Sequence, residues 1–279
     1  MMSFSKPTVF WAVCGIALAF TPLTSACHAQ DWAKTRLEQS PRHREYVSVK
    51  RDGRDIQTYV VYPEMKGKAP VVVLIHEIFG LTDWMKLEAD EVAAKGYIVV
   101  APDLLSGSGP NGGGSDALYA SPGGQDAVIK GVMGLDSTQV NLDLDAVTNY
   151  GKNLSAASGK VIVGGFCWGG SASFEFATHR PDLSAALVFY GTPPKTAELT
   201  KIHAPIYGFY AENDARVSST ISAATTEMKA AGKTYEPVTY AGAGHGFMRA
   251  GQAPDASDAN KKAYDEGSVR MFQILAKIK

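Results

Sequence analysis

A β-branched run that breaks into glycine, cysteine and glycine leaves this chain few folds to adopt. Residues 161–170 read Val-Ile-Val-Gly-Gly-Phe-Cys-Trp-Gly-Gly, and an apolar, helix-compatible stretch follows from Ala172 to Thr178. A buried strand, a sharp turn and a helix with Cys167 at the apex make a nucleophile elbow, with cysteine where serine is usual. Side chains at Gly165 or Gly169 would collide with neighbouring backbone, so both glycines are steric requirements. The helix that starts there points N–H groups and its positive dipole end at the sulfur, which favours thiolate. The competing interpretation is a buried structural cysteine in a glycine-rich loop, and the rest of the chain decides between them.

A nucleophile of this kind needs an acid and then a histidine, each on a loop after a later strand. Residues 205–210 read as a strand and run into Ala211-Glu212-Asn213-Asp214; residues 236–240 read as another and run into Gly242-Ala243-Gly244-His245-Gly246. Asp214 is the expected acid and His245 the expected base. Glu212 competes, but Asp214 lies further into the turn, just before the next helix. His203 precedes its strand, at the opposite edge of the sheet, and His179 falls late in the helix after the elbow. Both read as surface or capping histidines.

Together with His76-Glu77-Ile78-Phe79-Gly80, these segments resemble the dienelactone hydrolase (carboxymethylenebutenolidase) family, over a stretch from about Tyr46 to the C-terminus. The resemblance implies an α/β-hydrolase fold and hydrolysis of an ester or lactone bond. It implies Cys167 as nucleophile, Asp214 as acid and His245 as base. It further implies Glu77 in contact with the resting cysteine, and an oxyanion hole built from the backbone N–H groups of Ile78 and Trp168. In the family, two arginines bind the substrate carboxylate. Arg249, four residues after His245, matches one; after Leu104, where the other is expected, stand Leu105-Ser106-Gly107-Ser108. Arg249 is therefore either half of a carboxylate clamp or a solvated loop residue, and dienelactone itself stays an open choice of substrate.

Physical chemistry supports the glutamate independently. Residues 71–75 form a five-residue apolar run, suited to a parallel strand buried on both faces. Glu77 then falls at the carboxyl end of that strand, where open α/β sheets place their sites, and could accept the thiol proton or hold the cysteine in an off state. The zinc-protease reading of His76-Glu77 needs a second histidine where Gly80 stands. No other His, Cys, Asp or Glu cluster has metal-ligand spacing, so neither metal nor cofactor is expected. The glycine-rich stretch 106–114 lacks the Gly-Lys-Ser/Thr ending of a phosphate loop and reads as a flexible connection near the site, part of a lid.

The 279 residues, 45% apolar and 20% charged with a net charge of −1, suffice for one large core and offer no basic patch for nucleic acid. The N-terminus reads as a bacterial signal peptide over 1–29: Lys6, an apolar stretch from Val9 to Phe20 too short to span a bilayer, then Ser25-Ala26-Cys27-His28-Ala29. Cleavage after Ala29 starts a periplasmic or secreted chain at Gln30; the rival is a lipoprotein cut before Cys27, which would sit on a membrane. After cleavage at Ala29, Cys167 is the only thiol of the three cysteines left. It can form no intrachain disulfide in an oxidising compartment, and an idle thiol there is a liability.

The remainder reads as a single domain over 30–279: a doubly wound, mostly parallel α/β sheet with an antiparallel N-terminal edge. Residues 45–50 and 57–62 flank Asp52-Gly53-Arg54-Asp55 as a hairpin, strands follow at 71–75, 97–101, 160–163, 185–189, 205–210 and 236–240, and helices at 83–95, 140–154, 171–178, 219–231 and 259–278. Two other functions remain in view. A catalytically silent scaffold could bind a ligand or partner, since fold alone guarantees no activity. A thiol redox protein would need a resolving thiol, which the mature chain lacks beyond Cys27.

Overall fold

A computed structural model describes Met1 and residues 30–279. The leader expected over 1–29, with its rival cleavage at Cys27, lies outside the described residues. Eight strands form one sheet in the order β1-β2-β4-β3-β5-β6-β7-β8. They are β1 (Arg44–Arg51), β2 (Arg54–Val61), β3 (Ala69–Ile75), β4 (Ile98–Pro102), β5 (Ala157–Phe166), β6 (Ala185–Phe189), β7 (Ile206–Asn213) and β8 (Tyr235–Gly244). The β1–β2 and β2–β4 pairs are antiparallel and all others parallel. Asp52 and Gly53 both take positive φ, 46° and 79°, which gives the hairpin a twist matching its strands.

All seven residues of β3 are buried, because it lies between β4 and β5 with helices on both faces. Val72 and Leu74 point into one core with Ile162 and Phe166, while Val71, Val73 and Ile75 point into the other with Val161 and Val163. The helices are α1 (Asp31–Glu38), α2 (Asp83–Ala93), α3 (Ser115–Tyr119), α4 (Gly124–Met133), α5 (Ser137–Lys152), α6 (Trp168–His179), α7 (Thr196–Leu199), α8 (Ala215–Ala230), α9 (Phe247–Gln252) and α10 (Asp258–Ile278). The first core lies under α2, α9 and α10, and the second under α5, α6 and α8. Among the described residues no helix is long and apolar enough to cross a membrane.

From β3 the chain steps out to β4, then crosses back over β3 to reach β5. The strand order therefore reverses at the β3–β5 junction, the place where such sheets open a crevice. Glu77 follows β3 there and Cys167 follows β5.

Two expectations are corrected. Strand β5 runs to Phe166 rather than Val163, so the strand itself delivers Cys167, and α6 begins at Trp168 rather than Ser171. The stretch 106–114 is no loose connection: Gly109 N–H donates to Gly113 O at 2.8 Å, and the buried Asp103 accepts from Leu105 N, Ser115 N and Ser115 Oγ at 3.1, 2.7 and 2.8 Å. This anchoring leads into α3 and α4, whose Val128 and Val132 bury against Leu105.

Candidate active site

Cys167 holds φ 55° and ψ −115°, a conformation L-residues avoid, at the N-cap of α6. Packing enforces it. A Cβ on Gly165 would stand 2.1 Å from Gly169 O, and one on Gly169 2.4 Å from His76 O. Only glycine lets the helix approach this closely. Cys167 N–H donates to Phe189 O at 3.0 Å, and the half-exposed thiol is left at the carboxyl end of the sheet.

The loops after β7 and β8 meet it. His245 Nε2 lies 3.1 Å from Cys167 Sγ, and His245 Nδ1 lies 2.5 Å from Asp214 Oδ2. Asp214 is buried and also caps α8, accepting from Val217 N–H at 3.3 Å. Gly246, at φ 77°, turns the chain directly after the histidine. The fully buried Tyr190 presents its ring edge-on to the imidazole at 5.0 Å and holds a positive φ of 41° itself. Nothing in the sequence singled out this tyrosine. The competing candidates are occupied elsewhere: Glu212 accepts from Gly242 N–H at 2.7 Å, His179 pairs with Asp145 at 2.7 Å, and His203 is exposed.

The hydrogen bond to Cys167, helped by the one to Asp214, outweighs burial and raises the His245 pKa to about 9. An imidazolium in this position can hand a proton to a departing oxygen.

Glu77 sits differently from the expectation of a contact with cysteine. Its buried carboxylate accepts from Arg249 Nε at 2.9 Å, while the thiol faces His245. The short helix α9 carries Arg249 back over the Glu77 loop, where the guanidinium also lies 5.2 Å from the centre of the Phe79 ring. Burial pushes the Glu77 carboxyl up and Arg249 draws it back down. The expected carboxylate handle, Arg249, is thus already matched by an internal carboxylate.

The two expected backbone donors belong to the residues that follow Cys167 and Glu77. Trp168 opens α6, so its N–H has no partner within the helix. Among the described residues neither that N–H nor the N–H of Ile78 donates to another backbone group outside helices and strands. The Glu77–Ile78 peptide is fixed by its carbonyl, which accepts from Gly80 N–H at 3.1 Å and from His76 Nδ1–H at 2.8 Å. A trans peptide then points the Ile78 N–H the opposite way. His76 is fully buried, stacks on Trp168 at 5.8 Å, and accepts from Leu104 N–H at Nε2 (3.3 Å). The side chains of Ile78 and Trp168 pack into one apolar cluster with Leu135. Among the described residues, no three His, Cys, Asp or Glu side chains are grouped to hold a metal ion.

A thiol, an imidazole and a carboxylate in one hydrogen-bonded line can carry out acyl transfer. Known proteins agree. The chain is 28% identical over 242 residues to the "Putative carboxymethylenebutenolidase" of Salmonella typhi, an alignment covering 82% of this chain and 86% of that protein. It is 28% identical over 229 residues to the carboxymethylenebutenolidase homolog of Mus musculus, covering 80% and 87%. A crystal structure titled "Putative Dienelactone Hydrolase" from Klebsiella pneumoniae superposes with a TM-score of 0.70 at 25% identity, covering 84% of this chain and 98% of that one. The sequence profile of the dienelactone hydrolase family matches residues 56–279, from the second strand of the hairpin to the last residue of the chain, and the protein belongs to that family.

Proposed function

We propose that the protein is an exported hydrolase of carboxylic esters or lactones that works through Cys167. The observation that carries this is the Asp214–His245–Cys167 line at the carboxyl ends of three strands, with bonds of 2.5 and 3.1 Å. The thiolate attacks the carbonyl carbon, and the oxygen takes the electron pair between the N–H groups of Ile78 and Trp168. As the tetrahedral adduct collapses, His245 Nε2–H protonates the departing oxygen, leaving a thioester on Cys167. Neutral His245 then takes a proton from water, which attacks the thioester, and the acid product leaves as the thiolate re-forms. Asp214 keeps the imidazole oriented and stabilises its charged form. Glu77, held by Arg249, fixes the 76–80 loop.

The test is a screen of mature protein against lactones and short acyl esters, with Cys167→Ala as control. Turnover should fall on the order of 10⁴-fold in the variant, and iodoacetamide should label Cys167 and abolish activity. Undiminished esterase activity in Cys167→Ala would overturn the reading; a folded wild-type protein that turns over nothing but binds ligand stoichiometrically would favour the silent scaffold. Export rests on the pattern of residues 1–29. Full-length protein expressed in a bacterium should be recovered outside the cytoplasm with a mass that begins at Gln30; an intact Met1 in the cytosol would refute it.

A further inference from the structure

A cleft of about 450 Å³ adjoins the reacting groups and plays no part in the steps above. One side of it is the exposed face of α6, from Trp168 through Ala172 to Glu175; Val140 of α5 and Pro193 and Pro194 after β6 stand opposite. Trp168, the residue after Cys167, and Ser171, one helical turn on, both lie on its wall.

The direction of the substrate follows from the chemistry. The departing oxygen must face His245 to receive its proton, so the acyl substituent is the one turned away, toward Trp168 and α6. Trp168, Ala172, Val140 and the prolines give that path apolar walls, and the Ser171 and Thr192 hydroxyls between them are bonded to each other at 3.0 Å. Two carboxylates also line it: that of Glu198 is paired with Lys201 at 2.6 Å, whereas that of half-buried Glu175 has no hydrogen bond or ion pair within 4 Å among the described residues. Lys195 is the single cation on the lining. Burial first and the neighbouring Glu198 second push the Glu175 carboxyl up, against the pull of Lys195 and Lys201. At the other end of the site Arg249 is already matched by Glu77.

We propose that the cleft is the acyl subsite and takes an elongated apolar chain ending in a hydrogen-bond donor, an ammonium above all, which Glu175 receives. The enzyme is then selective for neutral or amine-bearing esters and against acidic ones. The inference rests on the thiol-hydrolase reading of the same site.

The experiment compares p-nitrophenyl hexanoate, 6-aminohexanoate and the adipate half-ester, each relative to p-nitrophenyl acetate, in wild type, Ala172→Phe and Glu175→Gln. Wild-type kcat/KM should favour the amino ester over the adipate half-ester by about tenfold or more, the scale of one charged hydrogen bond. Ala172→Phe, which fills the cleft, should lower the hexanoate-to-acetate ratio about tenfold. Glu175→Gln should remove the preference for the amino ester and needs no added volume, so it stays informative if the phenylalanine variant folds poorly. Ratios unchanged in both variants, or an adipate half-ester preferred in the wild type, would overturn the proposal. Failure of iodoacetamide to block acetate hydrolysis would instead strike the thiol mechanism itself, and is read separately from the ratios.

Discussion

Replacing Arg249 by methionine tests how the Glu77 loop is held. Methionine keeps an unbranched stem over Phe79 but removes the guanidinium that, among the described residues, is the one ion-pair partner of a carboxylate that is 2% exposed. Breaking a buried pair from one side costs about 3–5 kcal/mol if the remaining charge persists. Glu77 has a cheaper route, which is to take up a proton. That costs about 1.4 kcal/mol for each pH unit above an ordinary carboxyl value of about 4.3, hence a ceiling of about 3.7 kcal/mol at pH 7 and about 1 at pH 5. Burial already lifts this carboxyl in the wild type, so the loss at pH 7 should fall below that ceiling. The sign follows from linkage: in the variant the folded state holds a proton that the unfolded chain releases, so stability is lost as pH rises from 5 to 8. Urea unfolding followed by tryptophan fluorescence at four pH values reads this slope. Adding Glu77→Gln should flatten the slope and restore stability to within about 1 kcal/mol, because a neutral amide needs no counter-charge. A pH-independent loss in the single variant, or a double variant no more stable than the single, would refute the pairing as the reason for Arg249. A wild-type stability together with a loss confined to anionic substrates would return it to the role of carboxylate handle.

The raised His245 pKa sets an alkaline limit: kcat/KM for an alkyl ester, whose leaving group needs the proton, should decline above pH about 9, and Asp214→Asn should move that limb downward. A rate that still climbs at pH 10 would exclude the imidazolium as acid. Cys167→Ser should fold but turn over far more slowly, since a hydroxyl needs its proton removed during attack; parity with wild type would mark the elbow as indifferent to sulfur. Gly169→Ala forces a Cβ to within 2.5 Å of the Ile75 and His76 carbonyl oxygens, and should cost about 3 kcal/mol, or about 6–12 °C in melting temperature. An unchanged melt would show that α6 can retreat.

What the sequence disclosed is what short-range rules govern. The Asp52-Gly53 hairpin, the buried run of β3 and the glycines around Cys167 each carry their own steric signature, and the order of Asp214 and His245 follows from strands that end in turns. Helices α3 and α4 stayed hidden because Gly123, Gly124, Gly131 and Gly134 break the apolar period. Their helicity is imposed by Val128 and Val132 packing on Leu105, and by Asp103 anchoring Ser115. The Glu77–Arg249 pair joins residues 172 apart, and no local pattern announces which guanidinium will meet which carboxylate. Tyr190 was invisible for a third reason. Nothing in Phe-Tyr-Gly predicts a left-handed tyrosine with its ring against the His245 imidazole.

The ring of His76 carries one further implication. Its Nδ1–H is given to the Glu77 carbonyl and its Nε2 receives from Leu104, so only the uncharged ring fits. Burial holds its pKa below the ordinary value, whereas the unfolded chain would bind a proton below about pH 6.5. Acidity therefore drains stability from the peptide that aims the Ile78 N–H, while His245, charged up to about pH 9, gains no proton at all. Souring of the medium is therefore felt at the loop that carries Ile78, through His76, rather than through His245. One buried, neutral histidine thus makes the fold lose stability as pH falls through the ordinary imidazole range.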